Sequence, residues 1–230
     1  MAGVLGACLM SAWAVEVEPE ALAFHASPGG RATASLWVRN DTLSPLKATL
    51  TWEAPDGASW LNLAPRAIRL KPGEKKEIRV TARPPKVGGG ERTALLVVIV
   101  PGPKDSEIRV VRRVALVIAG TERPEASVET LSARVIGSEA RLRAVVRNDG
   151  NVTLRIKTGA ELFFTNGRRL RASPSDVGAV SPSTTGEFDL RVPLQGEPWG
   201  GRGRVWIYFL NNRGRTTAVE KEFGPEVLTR

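Results

Sequence analysis

The chain holds a single cysteine, Cys8, and a single histidine, His25, among 230 residues. One cysteine excludes an intrachain disulfide and a cysteine-built zinc site, which needs two or more at fixed spacing. One histidine leaves little for metal-ligand sets or for Ser-His-Asp and Cys-His chemistry. His25 closes the short apolar run Ala21-Leu22-Ala23-Phe24, where a strand-surface histidine is the plain reading. No hydrophobic run reaches the roughly 20 residues a membrane-spanning helix requires. Apolar residues never hold a 3.6-residue period for long, so little helix is expected beyond single turns. No Gly-x-Gly-x-x-Gly opens a helix, and there is no Walker loop and no Gly-x-Ser-x-Gly elbow. Gly88-Gly89-Gly90 lacks the following Lys-Ser/Thr and reads as a flexible link. Neither a cofactor, a small-molecule substrate nor catalysis is expected.

Acidic residues are the minority: 33 Lys+Arg against 24 Asp+Glu leave a net charge of +9. Such a balance can signal a nucleic-acid or anionic-membrane partner. Nucleic-acid binders gather their charge on one face or one helix. Here the arginines are scattered along the chain, often alternating with apolar residues, as on solvated strand faces. Pairs such as Arg112-Arg113 and Arg168-Arg169 do not alter that reading. Glu16, Glu18 and Glu20 alternate as on the outer face of an edge strand, and Asp56 and Asp176 fall in turns.

Residues 1–14 form a short apolar stretch ending Ala12-Trp13-Ala14, an A-x-A pattern. A signal peptidase would cut after Ala14 and leave Val15 as the mature start. Leu5-Gly6-Ala7-Cys8 also looks like a bacterial lipobox, so lipid anchoring at Cys8 stays open. Export to the periplasm or the medium is the expectation, with membrane contact only if Cys8 is lipidated. Export also argues against a nucleic-acid partner.

After residue 15, strand signals dominate: period-2 alternation, β-branched residues and Gly/Pro/Asn/Asp boundaries. Strands are expected at 34–39, at 46–52 with Leu46, Ala48, Leu50 and Trp52 on one face, at 76–82, and at 106–118. The near-continuous apolar run 94–100 predicts a strand buried on both faces. Lys71-Pro72-Gly73-Glu74 is a turn. Later strands are expected at 140–146, 154–156, 161–165, 203–210 and 216–223. Asn166-Gly167 predicts a hairpin in which both positions tolerate positive φ, and Asn211-Asn212-Arg213-Gly214 is a second candidate.

The chain also resembles itself. Val38-Arg39-Asn40-Asp41 returns as Val146-Arg147-Asn148-Asp149, 108 residues on. Pro72 with Ile78-Arg79-Val80 is echoed by Pro182 with Leu190-Arg191-Val192 at an offset of 110 to 112. One immunoglobulin-like sandwich has about this length, and self-similarity at a fixed period marks repeated units. The expected fold is all-β: two tandem immunoglobulin-like β-sandwiches, 15–120 and 126–230, joined by a short linker around Gly120-Thr121-Glu122-Arg123-Pro124-Glu125. At Asn-Asp the physical need is a corner, since Asx side chains bond nearby backbone and tolerate left-handed geometry.

A sandwich offers backbone rather than reactive side chains. Ile108, Val110, Arg112, Val114, Leu116 and Ile118 alternate along the last strand of the first unit. An exposed edge there could accept an incoming strand.

Residues 36–40 ending in Asn, Leu70-Lys71-Pro72-Gly73 with Ile78-Arg79-Val80, Glu91-Arg92-Thr93-Ala94-Leu95-Leu96, and the long strand running into Val114 to Ile118 resemble the periplasmic pilus-assembly (fimbrial) chaperones. The wider PapD-like group of two-domain immunoglobulin-like proteins shares them. The resemblance implies a chaperone whose last first-domain strand holds a pilus subunit by strand addition, with Ile108, Val110, Arg112, Arg113 and Val114 as partner-binding residues. Two basic anchors of that family have no counterpart. Pro19-Glu20-Ala21-Leu22 carries no Arg, and Ala115 stands where a Lys is expected. Capture of a subunit's terminal carboxylate is therefore not carried over. A non-catalytic structural or adhesive module of the cell envelope, secreted or lipid-anchored, remains the alternative. In either case the partner is a protein.

Overall fold

The computed structural model describes residues 15–55, 57–172, 177–196, 199–210 and 216–227. The leader 1–14 with Cys8, Asp56, Asp176 and the hairpin candidate at 211–214 lie outside the described residues. Among those described, every regular element is a strand except two short 3-10 turns, Pro103–Asp105 and Pro225–Val227. The fold is all-β, two tandem immunoglobulin-like sandwiches. One compact unit takes the chain to Gly88 and again from Arg92 to Ala119. The other takes Gly89–Glu91 and Gly120–Arg230.

The first unit stacks two sheets. One orders β1 (Val15–Glu18), β3 (Ala32–Asn40), β7 (Lys75–Ala82) and β5 (Leu61–Ala64). The other orders β2 (Ala21–Ala26), β9 (Glu107–Ile118), β8 (Gly90–Pro101), β4 (Leu46–Glu53) and β6 (Ala67–Leu70). Alternation decides which side chains meet. Leu36, Val38, Ile78 and Val80 from the first sheet share one apolar core with Leu50, Leu96, Val98, Leu116 and Ile118 from the second. His25 lies on the solvent side of β2, between the buried Phe24 and Ala26. The apolar run on β8 needs one correction. Leu96, Val97 and Val98 are all buried, but Leu95 is 42% exposed. Only the middle of that strand is covered on both faces.

Pro19 ends the ladder of β1, since it has no N–H to donate, and the chain passes to the other sheet. There β2 runs parallel to β9. Glu20 therefore lies beyond the strand that carries Glu16 and Glu18. Glu16 sits 3.1 Å from Arg39 and Glu18 2.6 Å from Lys75. The hydrogen bond from Lys75 holds the Glu18 carboxyl below the usual range. Among the described residues no group of acidic, His or Cys side chains could hold a metal ion.

The second unit repeats the plan. β10 (Ala126–Ile136), β11 (Glu139–Asn148) and β15 (Thr185–Pro193) form one sheet. β13 (Arg169–Ala172), β12 (Leu154–Phe163), β16 (Arg202–Leu210) and β17 (Thr216–Phe223) form the other, with β14 (Val177–Val180) also paired to β12. The registers correspond. Val17↔Val38 on β1 and β3 matches Val128↔Val146 on β10 and β11. Leu46↔Leu70 on β4 and β6 matches Leu154↔Val180 on β12 and β14. The two strands expected at 154–156 and 161–165 are one strand, β12. At the β12–β13 hairpin, Gly167 alone takes positive φ; Asn166 instead accepts the Arg168 amide on its side chain at 3.0 Å.

The repeated Asn makes the Asx corner expected from sequence, bonding the amide two residues on, and is a buried pin as well. Asn40 and Asn148 are both fully buried. Asn148 Nδ2 donates to the Val152 and Val180 carbonyls, both at 2.8 Å, and its Oδ1 accepts the Gly150 amide at 2.9 Å. Asn40 Nδ2 donates to Ser44 O at 2.9 Å and Leu70 O at 3.3 Å, and its Oδ1 accepts the Thr42 amide at 2.9 Å. Each Asn thus ties the end of one sheet to the corner and edge strand of the other.

The Pro-x corners dock on the same Asn backbone. Gly73 N donates to Asn40 O at 2.9 Å and Ser183 N to Asn148 O at 3.0 Å. Gly73 has φ 73° and Ser183 φ 59°. A β-carbon is unfavourable in that left-handed region. Ser183→Gly is expected to raise stability by about 0.5 kcal/mol, and Gly73→Ala to lower it by about 1 kcal/mol. Chemical denaturation of the two variants checks the pair, and equal signs would contradict the geometry.

Thr158 is fully buried on β12, and its hydroxyl has no hydrogen-bond partner among the described residues. Val has the same shape without the unmet hydroxyl. Thr158→Val is expected to stabilise by about 1 kcal/mol, read as a rise in the denaturant midpoint.

Gly88-Gly89-Gly90 is more than a flexible link. Gly90 N donates to Thr121 Oγ1 at 2.8 Å, and the Glu91 amide donates to Asn151 O at 2.7 Å. A Cβ on Gly90 would stand 2.4 Å from that Asn151 oxygen. Close backbone approach, not mobility, explains the glycine.

Candidate partner-binding strand

β9 is a twelve-residue strand that changes character along its length. Val114, Leu116 and Ile118 are completely buried. Ile108 and Val110, on the same face, are only half-buried, though both pack against the core. The cause lies in the neighbouring strand. β2 covers β9 only from Arg113, opposite Ala21, to Ile118, opposite Ala26. Residues 107–112 run past the end of β2, because Pro19 and Glu20 precede its first paired residue.

Arg112 sits at the change-over. Its place in the alternation turns it to the inner side, and its guanidinium closes on β1. Nε and Nη2 donate to the Val17 carbonyl at 3.0 and 2.7 Å. The main chain of β1 thus receives a charge-assisted clamp from β9. An inward-pointing charge is one of the devices that keep a strand edge from pairing indiscriminately. Arg113 faces the opposite way and is exposed. Val111, also on that outer face, is 45% exposed. Arg109, at the open end, pairs with Glu53 of β4.

Of the five residues expected from sequence, the open stretch brings together Ile108, Val110 and Arg112. Val114 lies inside the core, opposite Leu22 of β2, and Arg113 lies on the other face. Sequence reasoning missed Val17, whose side chain is core but whose carbonyl receives Arg112. The available signal was Pro19, which marks where the first strand must break. Ala115 is half-buried beside Ala23.

No family model and no curated protein matches the chain. Solved structures do. The class 5 fimbriae chaperone CfaA aligns over 92% of this chain and 99% of its own, at 13% identity and a TM-score of 0.53. A chain of the chaperone–tip adhesin complex of CFA/I fimbriae biogenesis aligns over 90% of this chain and 97% of its own, at 13% identity and a TM-score of 0.52. The fold is that of the fimbrial chaperones. At this identity the likeness is one of fold.

Proposed function

We propose that this protein is a periplasmic chaperone-like protein that binds exported partner chains by strand addition along residues 107–112. The observation that carries the reading is the end of β2 at Arg113 while the half-buried apolar row of β9 continues through Val110 and Ile108. An incoming strand would take up where β2 stops. Main-chain hydrogen bonds would supply affinity, and side chains seated beside Ile108 and Val110 would supply selectivity. Solved structures of the same fold include a chaperone–tip adhesin complex, which supports a protein subunit as the partner class. With Ala115 and no Arg after Pro19, recognition rests on backbone and apolar contacts rather than on a captured carboxylate.

Export belongs to the same proposal. Cleavage after Ala14 would start the mature chain at Val15, which is 3% exposed and opposite Asn40 in the first ladder. The mature chain would then begin directly inside the sandwich.

Co-purification from the periplasmic fraction tests the reading. A subunit with an incomplete sandwich should be retained, and hydrogen exchange should slow at residues 107–112 when it binds. No retained subunit and unchanged exchange would favour a structural or adhesive envelope module instead.

A further inference from the structure

The arginines that look dispersed along the chain are not dispersed in space. On the second unit, Arg134 of β10, Arg141 of β11 and Arg191 of β15 stand directly opposite one another across three adjacent strands. Neighbouring strands are about 4.8 Å apart, so three guanidinium stems rise within roughly 10 Å. Like charges directly opposite on a sheet are unfavourable, and the row is flanked only by Glu139 on one side and Asp189 on the other. Arg134 and Arg191 have no carboxylate partner among the described residues. Arg141 Nε is 3.7 Å from Glu139, beyond hydrogen-bond reach, and is buried without a hydrogen-bond partner among the described residues.

The next row explains the contrast. Ser132, Arg143 and Asp189 are opposite one another, and Arg143 is paired with Glu187. The two rows line a concavity of about 380 Å³, in which Arg134, Arg141, Arg143 and Arg191 face one acidic residue, Asp189. Asp189 lies at the Arg143 end and repels anions there. The favourable position is over the three-arginine row, with the Ser132 hydroxyl as a further donor.

The geometry points to a binding site for a phosphate group on the Arg134–Arg141–Arg191 row. A phosphate dianion offers three acceptor oxygens to three planar forks and neutralises their mutual repulsion. A carboxylate has only two oxygens and one charge. The same terminal phosphate is carried by a soluble phosphate or pyrophosphate and by the phosphatidic acid of a membrane, so the test separates those sources. The site lies wholly in the second unit and does not depend on strand addition in the first.

The full chain is titrated with sodium phosphate, then sodium pyrophosphate, against sodium chloride at matched ionic strength, with amide NMR as the readout. A parallel arm uses vesicles of phosphatidic acid in phosphatidylcholine against phosphatidylcholine alone. The expected result is saturable shifts concentrated on β10, β11 and β15. Arg141→Gln should weaken binding about 10- to 100-fold, as loss of one charge-assisted contact predicts. Arg191→Gln, on an exposed position, gives the same readout if Arg141→Gln fails to fold. Arg155→Gln, exposed on β12 away from the row, should leave binding unchanged. Saturation by the soluble anions identifies a free phosphate ligand, and saturation by the anionic vesicles alone identifies a headgroup. Shifts that never saturate, spread over both units, or survive both Gln variants overturn the proposal.

Discussion

Asn148→Ala is expected to cost the protein about 3 kcal/mol, and Asn40→Ala a similar amount in the other unit. Each side chain is fully buried and makes three hydrogen bonds to backbone. Truncation removes all three bonds at once, although the Gly150 amide keeps Glu125 O at 3.2 Å and the Ser44 carbonyl keeps Thr42 Oγ1 at 2.8 Å. A buried polar group left unsatisfied costs about 1–3 kcal/mol, and partial relaxation keeps the sum below simple addition. For a unit of this size the loss corresponds to roughly 10–25 °C in Tm. Calorimetry on the full chain should show one transition falling in each variant, the affected one differing between them. The longer 3.3 Å bond from Asn40 to Leu70, against 2.8 Å for the matching bond from Asn148 to Val180, predicts the larger fall for Asn148. Unmoved transitions in both variants would mean the Asn side chains are ornaments of the corner rather than pins.

Ile108→Asp is expected to reduce capture of a partner strand about 100-fold or more, because a carboxylate buried against an incoming apolar side chain costs several kcal/mol. The substitution is tolerable in the free protein. Ile108 is only half-buried there, at the open end of β9, where an aspartate can still reach water. Val111→Asp is the matching control, since Val111 is 45% exposed on the opposite face. Capture should survive it. Affinity of a purified partner subunit for the three proteins, with Tm recorded for each, separates binding from folding. Equal loss in both variants, or capture retained by Ile108→Asp, would remove this strand as the docking edge.

Much of this architecture was legible before any coordinates. Alternation in 46–52 placed Ala48 and Leu50 inward because a strand turns successive side chains to opposite faces. Val-Arg-Asn-Asp recurring 108 residues on pointed to two copies of one unit, and the copies do share their registers. The Asx corner was readable as well; what could not be read was the reach of the same Asn across to the other sheet. Its partners at 70 and 180 lie 30 and 32 residues downstream, and only packing of the two sheets brings them to it. Leu95 failed for the related reason that a run of apolar residues says nothing of which neighbour covers each face.

The candidate strand divides in the same manner. Its row of apolar residues was visible, but its open length was not. The open length depends on where β2 halts, and Pro19 sets that limit from 88 or more residues away. The arginines carry the point furthest. Their spacing along the chain made them look dispersed, yet Arg134, Arg141 and Arg191 are one row. Local sequence determined that these segments are strands, which faces turn inward and that the unit occurs twice, since those properties follow from side-chain alternation and turn chemistry. The tertiary structure alone decided which strand ends where along its neighbour and which charges stand together, because pairing register joins residues that the chain keeps far apart.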